Sequence, residues 1–140
     1  SGMTAGTHGS TYGGNPLGMA CGNAVLDIVT GEGFLDNVNR ISLLIKQRLA
    51  EMKDRHPTII EDVRGDGLLL GIKARVPNTE LVGALRGQHL LTVGAGDNVV
   101  RFVPPLVVTD QDVSAAMSAL DAACTTLETA AKAAAPRPAV

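Results

Sequence analysis

A glycine-rich segment near the start of the chain carries hydroxyl side chains suited to binding an anion. Ser10 and Thr11 stand between glycines and shortly precede Asn15-Pro16, a good helix cap followed by a proline at the first helical position. The free N–H groups and the dipole at a helix N-terminus favour an anion such as a phosphate. On the residues alone, this segment is equally compatible with an anion site and with a flexible, capped loop.

Arg101 is the second candidate, because it is a lone charge in an apolar run. In a β-strand over Val99–Val103, alternate side chains lie on the same face, so Arg101 shares a face with Val99 and Val103. A guanidinium among valines needs an anionic partner to offset its desolvation. That partner is either an aspartate of the protein or a carboxylate ligand, which the planar fork of arginine matches.

Other kinds of site find less support in the sequence. His8, His56 and His89 are far apart, resemble surface histidines, and have no cysteine at ligand spacing, which argues against a metal site. The run Gly94–Asn98 begins like a dinucleotide-binding motif but lacks its third glycine and precedes a strand. No serine or cysteine has a histidine and an acid placed as partners, so no catalytic residue is predicted in this chain.

Composition restricts the partners of the chain. The 140 residues carry a net charge of −2 with scattered lysines and arginines, and only 2% are aromatic, which argues against nucleic acid. No apolar run approaches the roughly 18 residues of a membrane-spanning helix, so no membrane partner is expected. Cys21 and Cys124 lie among small residues of predicted helices, and we expect buried free thiols in a reducing, cytoplasmic compartment.

Hydrophobic periodicity predicts the elements that must position these residues. It indicates two helices, then two strand pairs, each followed by a helix, which favours an α+β fold with an antiparallel sheet covered by helices. A capping box at Thr109 and Asp112 begins the last helix. The other predicted helices span 16–29, 34–52 and 79–88, the strands span 59–63, 68–73, 90–93 and 99–103, and the hairpin turns span 64–67 and 94–98.

Three segments of the chain resemble successive motifs of the class III pyridoxal-phosphate aminotransferases. They are Thr7–Leu17, Asp62–Gly71 and Asn98–Leu106, they occur in the order of the family, and the likeness extends from Met3 to about Leu127. It is closest to the branch of the family that acts on acetylornithine. The resemblance implies the small C-terminal domain of a fold-type I pyridoxal-phosphate transferase, which works as a homodimer with an active site shared between subunits.

The resemblance also implies roles for individual residues. Thr11 matches the threonine that binds the phosphate of pyridoxal 5'-phosphate from the neighbouring subunit, and Ser10 matches a serine at the acetylornithine site. Arg101 matches the arginine that holds the α-carboxylate of the substrate. The residues 64–67 match a structural turn of the small domain.

The chain departs from the family in one respect. The lysine that binds the cofactor covalently, and the aspartate that pairs with its pyridinium nitrogen, precede the motif containing Thr11 in the family. The lysines of this chain do not match that setting; they are Lys46, Lys53, Lys73 and Lys132. We therefore expect the chain to be inactive by itself.

For the intact enzyme, the resemblance implies amino transfer between N-acetylornithine and 2-oxoglutarate in arginine biosynthesis. Relatives that act on ornithine, succinylornithine or 4-aminobutyrate share most of the motifs and stay as alternatives, as does a free-standing small-molecule-binding module. We expect an active-site loop over residues 1–14, whose residues 1–3 resemble an expression scar. The small domain with its connecting helix is expected over 15–131 and a frayed tail over 132–140.

Overall fold

The computed structural model describes residues 4–134. The helices and strands follow the predicted order, and every strand pairing is antiparallel, so the predicted α+β class is confirmed. No helix within the described range combines the length and the apolar character needed to cross a membrane. The elements are α1 (Pro16–Val29), α2 (Phe34–Arg55), β1 (Ile60–Asp66), β2 (Leu69–Ala74), α3 (Asn78–Gly87), β3 (Val93–Ala95), β4 (Val99–Phe102) and α4 (Asp110–Ala134).

The chain divides into two compact units, residues 1–37 and residues 38–140. The described part of the first unit is a loop, α1 and the first turn of α2, and no residue of α1 is buried, because the unit offers no second layer against which the helix packs. Cys21 is consequently exposed, and the prediction of a buried thiol at this position is wrong. Cys124 is buried and free, and burial raises the pKa of its thiol to about 12.

A four-stranded sheet of order β1-β2-β4-β3 forms the centre of the second unit. Directly opposed residues of antiparallel strands place their side chains on the same face. Val63, Ile72 and Val100 form one such row, which faces the core. The side chains of α2, α3 and α4 that cover this face are Ile41, Ile45, Leu49, Met52, Leu81, Leu85, Val113, Met117, Leu120, Ala123 and Cys124.

The turn of the β1–β2 hairpin is shorter than the sequence suggests. β1 continues to Asp66, which pairs with Leu69, so the connecting residues are 67–68 rather than the predicted 64–67. Gly65 and Gly67 have φ angles of +114° and +53°, which are left-handed values that suit glycine. These two glycines allow the chain to reverse within two residues.

The last helix begins at the predicted capping box. The Asp112 carboxylate accepts hydrogen bonds from the Thr109 backbone N–H at 2.9 Å and from the Thr109 hydroxyl at 2.7 Å. The Thr109 hydroxyl accepts in turn from the Asp112 backbone N–H at 3.2 Å. Bonding to Thr109 lowers the pKa of Asp112. α4 extends to Ala134, so residues 132–134 of the expected frayed tail are helical, and residues 135–140 lie outside the described range.

His56 connects the end of α2 to α4 in the interior. Its side chain is only 4% exposed, so the expectation of a surface histidine is wrong at this position. The ring Nε2 lies 2.8 Å from an Asp121 carboxylate oxygen, and Nδ1 lies 3.3 Å from the Glu128 carboxylate. A hydrogen bond from His56 lowers the pKa of Asp121, and one from Thr58 lowers that of Glu128. This contact is structural, and residues 4–134 contain no group of His, Cys, Asp or Glu arranged to hold a metal.

Candidate functional site

Ser10 and Thr11 lie in an exposed turn directly before α1. The Gly13 N–H donates to the Ser10 carbonyl at 3.4 Å, so backbone groups hold this turn. Gly14 has a φ of +73°, which glycine adopts at little cost. Neither hydroxyl forms a hydrogen bond with another residue of the described range, and both are therefore available to a ligand.

The start of α1 gives this turn the electrostatics of an anion site. Asn15 caps the helix, and its side-chain oxygen accepts from the Gly18 N–H at 2.7 Å. No acidic residue lies in the first turn, so no carboxylate of α1 itself compensates the positive end of the helix dipole. A phosphate group fits this combination of free hydroxyls and an uncompensated helix N-terminus.

Arg101 occupies β4 in the second unit, and its side chain is exposed. The predicted alternation is correct, since Arg101 shares a face with Val99 and Val103 whereas Val100 and Phe102 enter the core. That shared face is the outer face of the sheet, where Val103 is 64% exposed. The expectation that desolvation forces Arg101 to take a partner is therefore wrong.

Arg101 has no ion-pair or hydrogen-bond partner among the residues that the structure describes. Of the two partners that the sequence suggested, an aspartate is therefore not found in the described part of the chain. Across the strands it stands opposite Gly71 of β2 and Val93 of β3. Its guanidinium lies exposed on the outer face of the sheet, and no side chain within 4–134 neutralises its charge.

A hollow of about 310 Å³ lies beside Arg101. Gly71 forms part of its floor, with Arg64, Leu69, Val99 and Arg101 around it. A Cβ atom at Gly71 would lie 2.7 Å from a Val99 methyl carbon, so any larger residue would force the valine to move. Because Gly71 lacks a side chain, the space beside Arg101 is open to a small molecule.

Asp97 pairs with Arg64, which lines this hollow, and with Lys73 of β2. Its carboxylate lies 2.6 Å from an Arg64 guanidinium nitrogen and 3.4 Å from the Lys73 ammonium. The hydrogen bond from Arg64, followed by the one from Lys73, lowers the pKa of Asp97. Arg64 and Lys73 are thereby compensated, whereas no carboxylate in the described part of the chain pairs with Arg101.

The β3–β4 turn that carries Asp97 is held by side chains. Asp97 and Asn98 have φ angles of +56° and +55°, which asparagine and aspartate tolerate better than other residues. The Asn98 amide donates to the Ala74 carbonyl at 2.6 Å and the Val76 carbonyl at 2.8 Å, and its oxygen accepts from the Asn78 N–H at 2.8 Å. The turn was predictable from the sequence, and Asp-Asn in a short hairpin also indicates left-handed backbone, but the side-chain bonds of Asp97 and Asn98 were not predicted.

A larger cavity of about 430 Å³ lies elsewhere in the second unit, between α4 and the segment that follows β4. Its lining is mostly apolar, with residues such as Leu90, Phe102 and Met117. The one carboxylate in the lining, that of Asp112, already accepts the hydrogen bonds of the capping box. This cavity contains none of the predicted site residues, and its mostly apolar lining does not suit a charged substrate.

Comparisons with known proteins point to one family. Residues 1–124 match the family described as aminotransferase class-III. The chain is 58% identical over 91% of its length to the acetylornithine aminotransferase of Agrobacterium fabrum, of which it covers 32%. It therefore spans about a third of the length of this curated relative.

Solved structures agree with the sequence comparison. The N-acetylornithine aminotransferase of Stenotrophomonas maltophilia is similar, with a TM-score of 0.77 and 31% identity over 84% of this chain and 33% of that one. The ornithine aminotransferase of Toxoplasma gondii, described with partial occupancy of PLP at its active site, has a TM-score of 0.79 and 30% identity over 92% of this chain and 31% of that one.

Proposed function

This chain belongs to the class III aminotransferases, and from that premise we propose that it is the C-terminal part of an acetylornithine aminotransferase. The longer enzyme transfers an amino group between N-acetylornithine and 2-oxoglutarate, a step of arginine biosynthesis. The observation that carries the proposal is the unpaired Arg101 guanidinium beside an open hollow. The 58% identity to a protein named acetylornithine aminotransferase supports the choice of amino donor.

Arg101 holds the α-carboxylate of the substrate in this proposal. A guanidinium binds a carboxylate through two parallel charge-assisted hydrogen bonds, which fix both its position and its orientation. N-acetylornithine and 2-oxoglutarate each present an α-carboxylate, so one arginine serves both halves of the reaction. The free charge of Arg101 and the missing side chain of Gly71 support this role.

The proposed cofactor is pyridoxal 5'-phosphate, which supplies the electron sink for amino transfer when it is bound. The Thr11 hydroxyl would hold the phosphate group of this cofactor, and the dipole at the N-terminus of α1 would favour its negative charge. Ser10 contributes its free hydroxyl to the site of N-acetylornithine. The enzyme is a cytoplasmic homodimer in this proposal, and Thr11 reaches the cofactor of the neighbouring subunit.

The lysine that binds the cofactor comes from the remainder of the longer enzyme. Lys46, Lys53 and Lys73 each lie within 3.5 Å of a carboxylate, which occupies their ammonium groups. Lys132 lies near the end of α4, remote in sequence from the Thr11 turn. Residues 1–140 alone are therefore inactive in this proposal.

Thr11→Val in the longer enzyme should weaken cofactor binding by about tenfold, because it removes one hydrogen bond to a charged group, worth about 1.5 kcal/mol. The measurement is a titration of the apoenzyme with pyridoxal 5'-phosphate, followed by absorbance. Thr11→Ser keeps the hydroxyl and should retain most of the affinity. An unchanged dissociation constant in the valine variant would contradict the assignment of Thr11 to the phosphate.

The donor is tested by measuring glutamate formed from 2-oxoglutarate with a series of amines. N-acetylornithine should give the highest kcat/KM, ahead of ornithine, succinylornithine and 4-aminobutyrate. A higher kcat/KM with another donor would move the enzyme to a different branch of the same family. Residues 1–140 alone should form no glutamate.

A further inference from the structure

A continuous network of charges extends from Lys53 of α2 to side chains on the outer face of the sheet next to Arg101. Arg64 lies 3.7 Å from Asp62 and 2.6 Å from Asp97. The network continues from Asp62 to Lys53 at 3.1 Å, and from Asp97 through Lys73 at 3.4 Å to Glu61 at 3.5 Å. Its cations are Lys53, Arg64 and Lys73, and its anions are Glu61, Asp62 and Asp97. The charges of these side chains sum to zero.

Asp97 is the member that joins the two sides of this network. It comes from the β3–β4 turn and contacts Arg64 of β1 and Lys73 of β2, so it links three parts of the sheet. Removing its charge would leave the network with a net charge of +1, and Arg64 would keep only the longer contact with Asp62. Asp97 therefore supplies the closer of the two carboxylates that compensate the Arg64 guanidinium.

Arg64 and Arg101 occupy equivalent positions on either side of Gly71. Each is directly opposite this glycine in a neighbouring strand, so all three residues lie in one row on the same face. Both arginines border the same hollow, and no side chain at Gly71 separates them. The two guanidinium groups differ in their charge partners, since Asp97 binds Arg64 and no residue in 4–134 binds Arg101.

We propose that Asp97 is a specificity-determining residue, which leaves Arg101 as the single anion site of this face by pairing with Arg64 and Lys73. A carboxylate that enters the hollow then binds one guanidinium in one orientation. Without Asp97, Arg64 becomes a second anion site in the same hollow. This inference rests on the proposed role of Arg101 and adds a residue that selects between two candidate arginines.

Asp97→Asn in the longer enzyme tests this role with sulfate as the competing anion. Asparagine preserves the shape of the side chain and tolerates the left-handed backbone at this position. The additional positive charge beside the hollow should lower the inhibition constant of sulfate against 2-oxoglutarate by about threefold at low ionic strength. An inhibition constant equal to or above that of the unchanged enzyme would overturn the inference.

Arg64→Gln tests whether the inhibition constant of sulfate shifts in the opposite direction when a positive charge is removed. It leaves Asp97 less compensated, so the inhibition constant of sulfate should rise, opposite to the effect of Asp97→Asn. The double variant Asp97→Asn/Arg64→Gln restores the neutral network, so its inhibition constant for sulfate should be close to that of the unchanged enzyme. If Asp97 and Arg64 only stabilised the turn, both single variants would shift the constant in the same direction, and that result would also overturn the inference.

Two further variants separate this inference from the proposed function. Asp110→Asn removes a carboxylate that pairs with Arg40 at 2.6 Å outside the network, and it should not change sulfate inhibition. If Asp110→Asn lowers the inhibition constant of sulfate as much as Asp97→Asn does, the effect comes from the overall charge of the protein and the inference fails. If Arg101→Ala leaves the KM for 2-oxoglutarate unchanged, the proposed function fails, whatever the Asp97 variants show.

Discussion

Replacing Arg101 by alanine in the longer enzyme should lower kcat/KM for both N-acetylornithine and 2-oxoglutarate by about 100-fold. The variant loses a bidentate, charge-assisted contact with the α-carboxylate that both substrates carry, which is worth about 3 kcal/mol. Because Arg101 has no partner among the described residues, its removal breaks no hydrogen bond or ion pair within that part of the chain. The measurement is steady-state kinetics with each substrate varied in turn, together with thermal unfolding.

Two control variants sharpen the Arg101 experiment. Arg101→Lys keeps the charge but loses the planar fork, so its kcat/KM should lie between those of the alanine variant and the unchanged enzyme. Arg86→Ala removes another exposed arginine, in the last turn of α3, and should leave kcat/KM unchanged. A loss confined to one substrate, or equal losses in Arg86→Ala and Arg101→Ala, would contradict a shared carboxylate contact at Arg101.

Gly65→Ala should destabilise the fold by about 3 kcal/mol, because it combines an unfavourable backbone angle with a steric clash. Gly65 has a φ of +114°, and a Cβ atom there would lie 2.1 Å from the Leu69 carbonyl oxygen. Relief of that contact requires the β1–β2 hairpin to open, which would displace the neighbouring Arg64. The measurement is the free energy of unfolding from denaturant titration.

Gly67→Ala is the matched control for the hairpin. Gly67 also has a left-handed φ, +53°, but a Cβ atom at this position would meet no atom within 4 Å. The alanine therefore incurs only the backbone cost, about 1 kcal/mol. Equal destabilisation by the two variants would show that the clash with Leu69 contributes nothing.

Local sequence patterns predicted the elements of this fold because their physical causes are local. The cap and proline of α1 act within one turn, as does the exchange of hydrogen bonds between Thr109 and Asp112 at the start of α4. Apolar spacing also identified the buried stripe of α2. The sequence predicts that the β1–β2 turn begins at Arg64, whereas β1 continues to Asp66. Asp66 is polar and lies at the exposed end of β1, so its residue type does not distinguish a strand from a turn.

Contacts between distant segments were not predictable in the same way. Strand alternation identifies which residues share a face with Arg101 but not which face meets the core, so the sequence suggested desolvation where the structure has exposure. The pairing of Arg64 with Asp97 joins residues 33 positions apart, and that of His56 with Asp121 joins residues 65 positions apart. Neither pair leaves a periodic signal, since each depends on how strands and helices pack.

The most direct test of the account is a crystal structure of the longer enzyme with bound 2-oxoglutarate. Both oxygens of the α-carboxylate should lie within about 3 Å of the Arg101 guanidinium nitrogens. Arg64 should remain bound to Asp97 in that complex. A substrate carboxylate held by another cation, with the Arg101 side chain in solvent, would contradict the assignment of Arg101 as the carboxylate-binding residue.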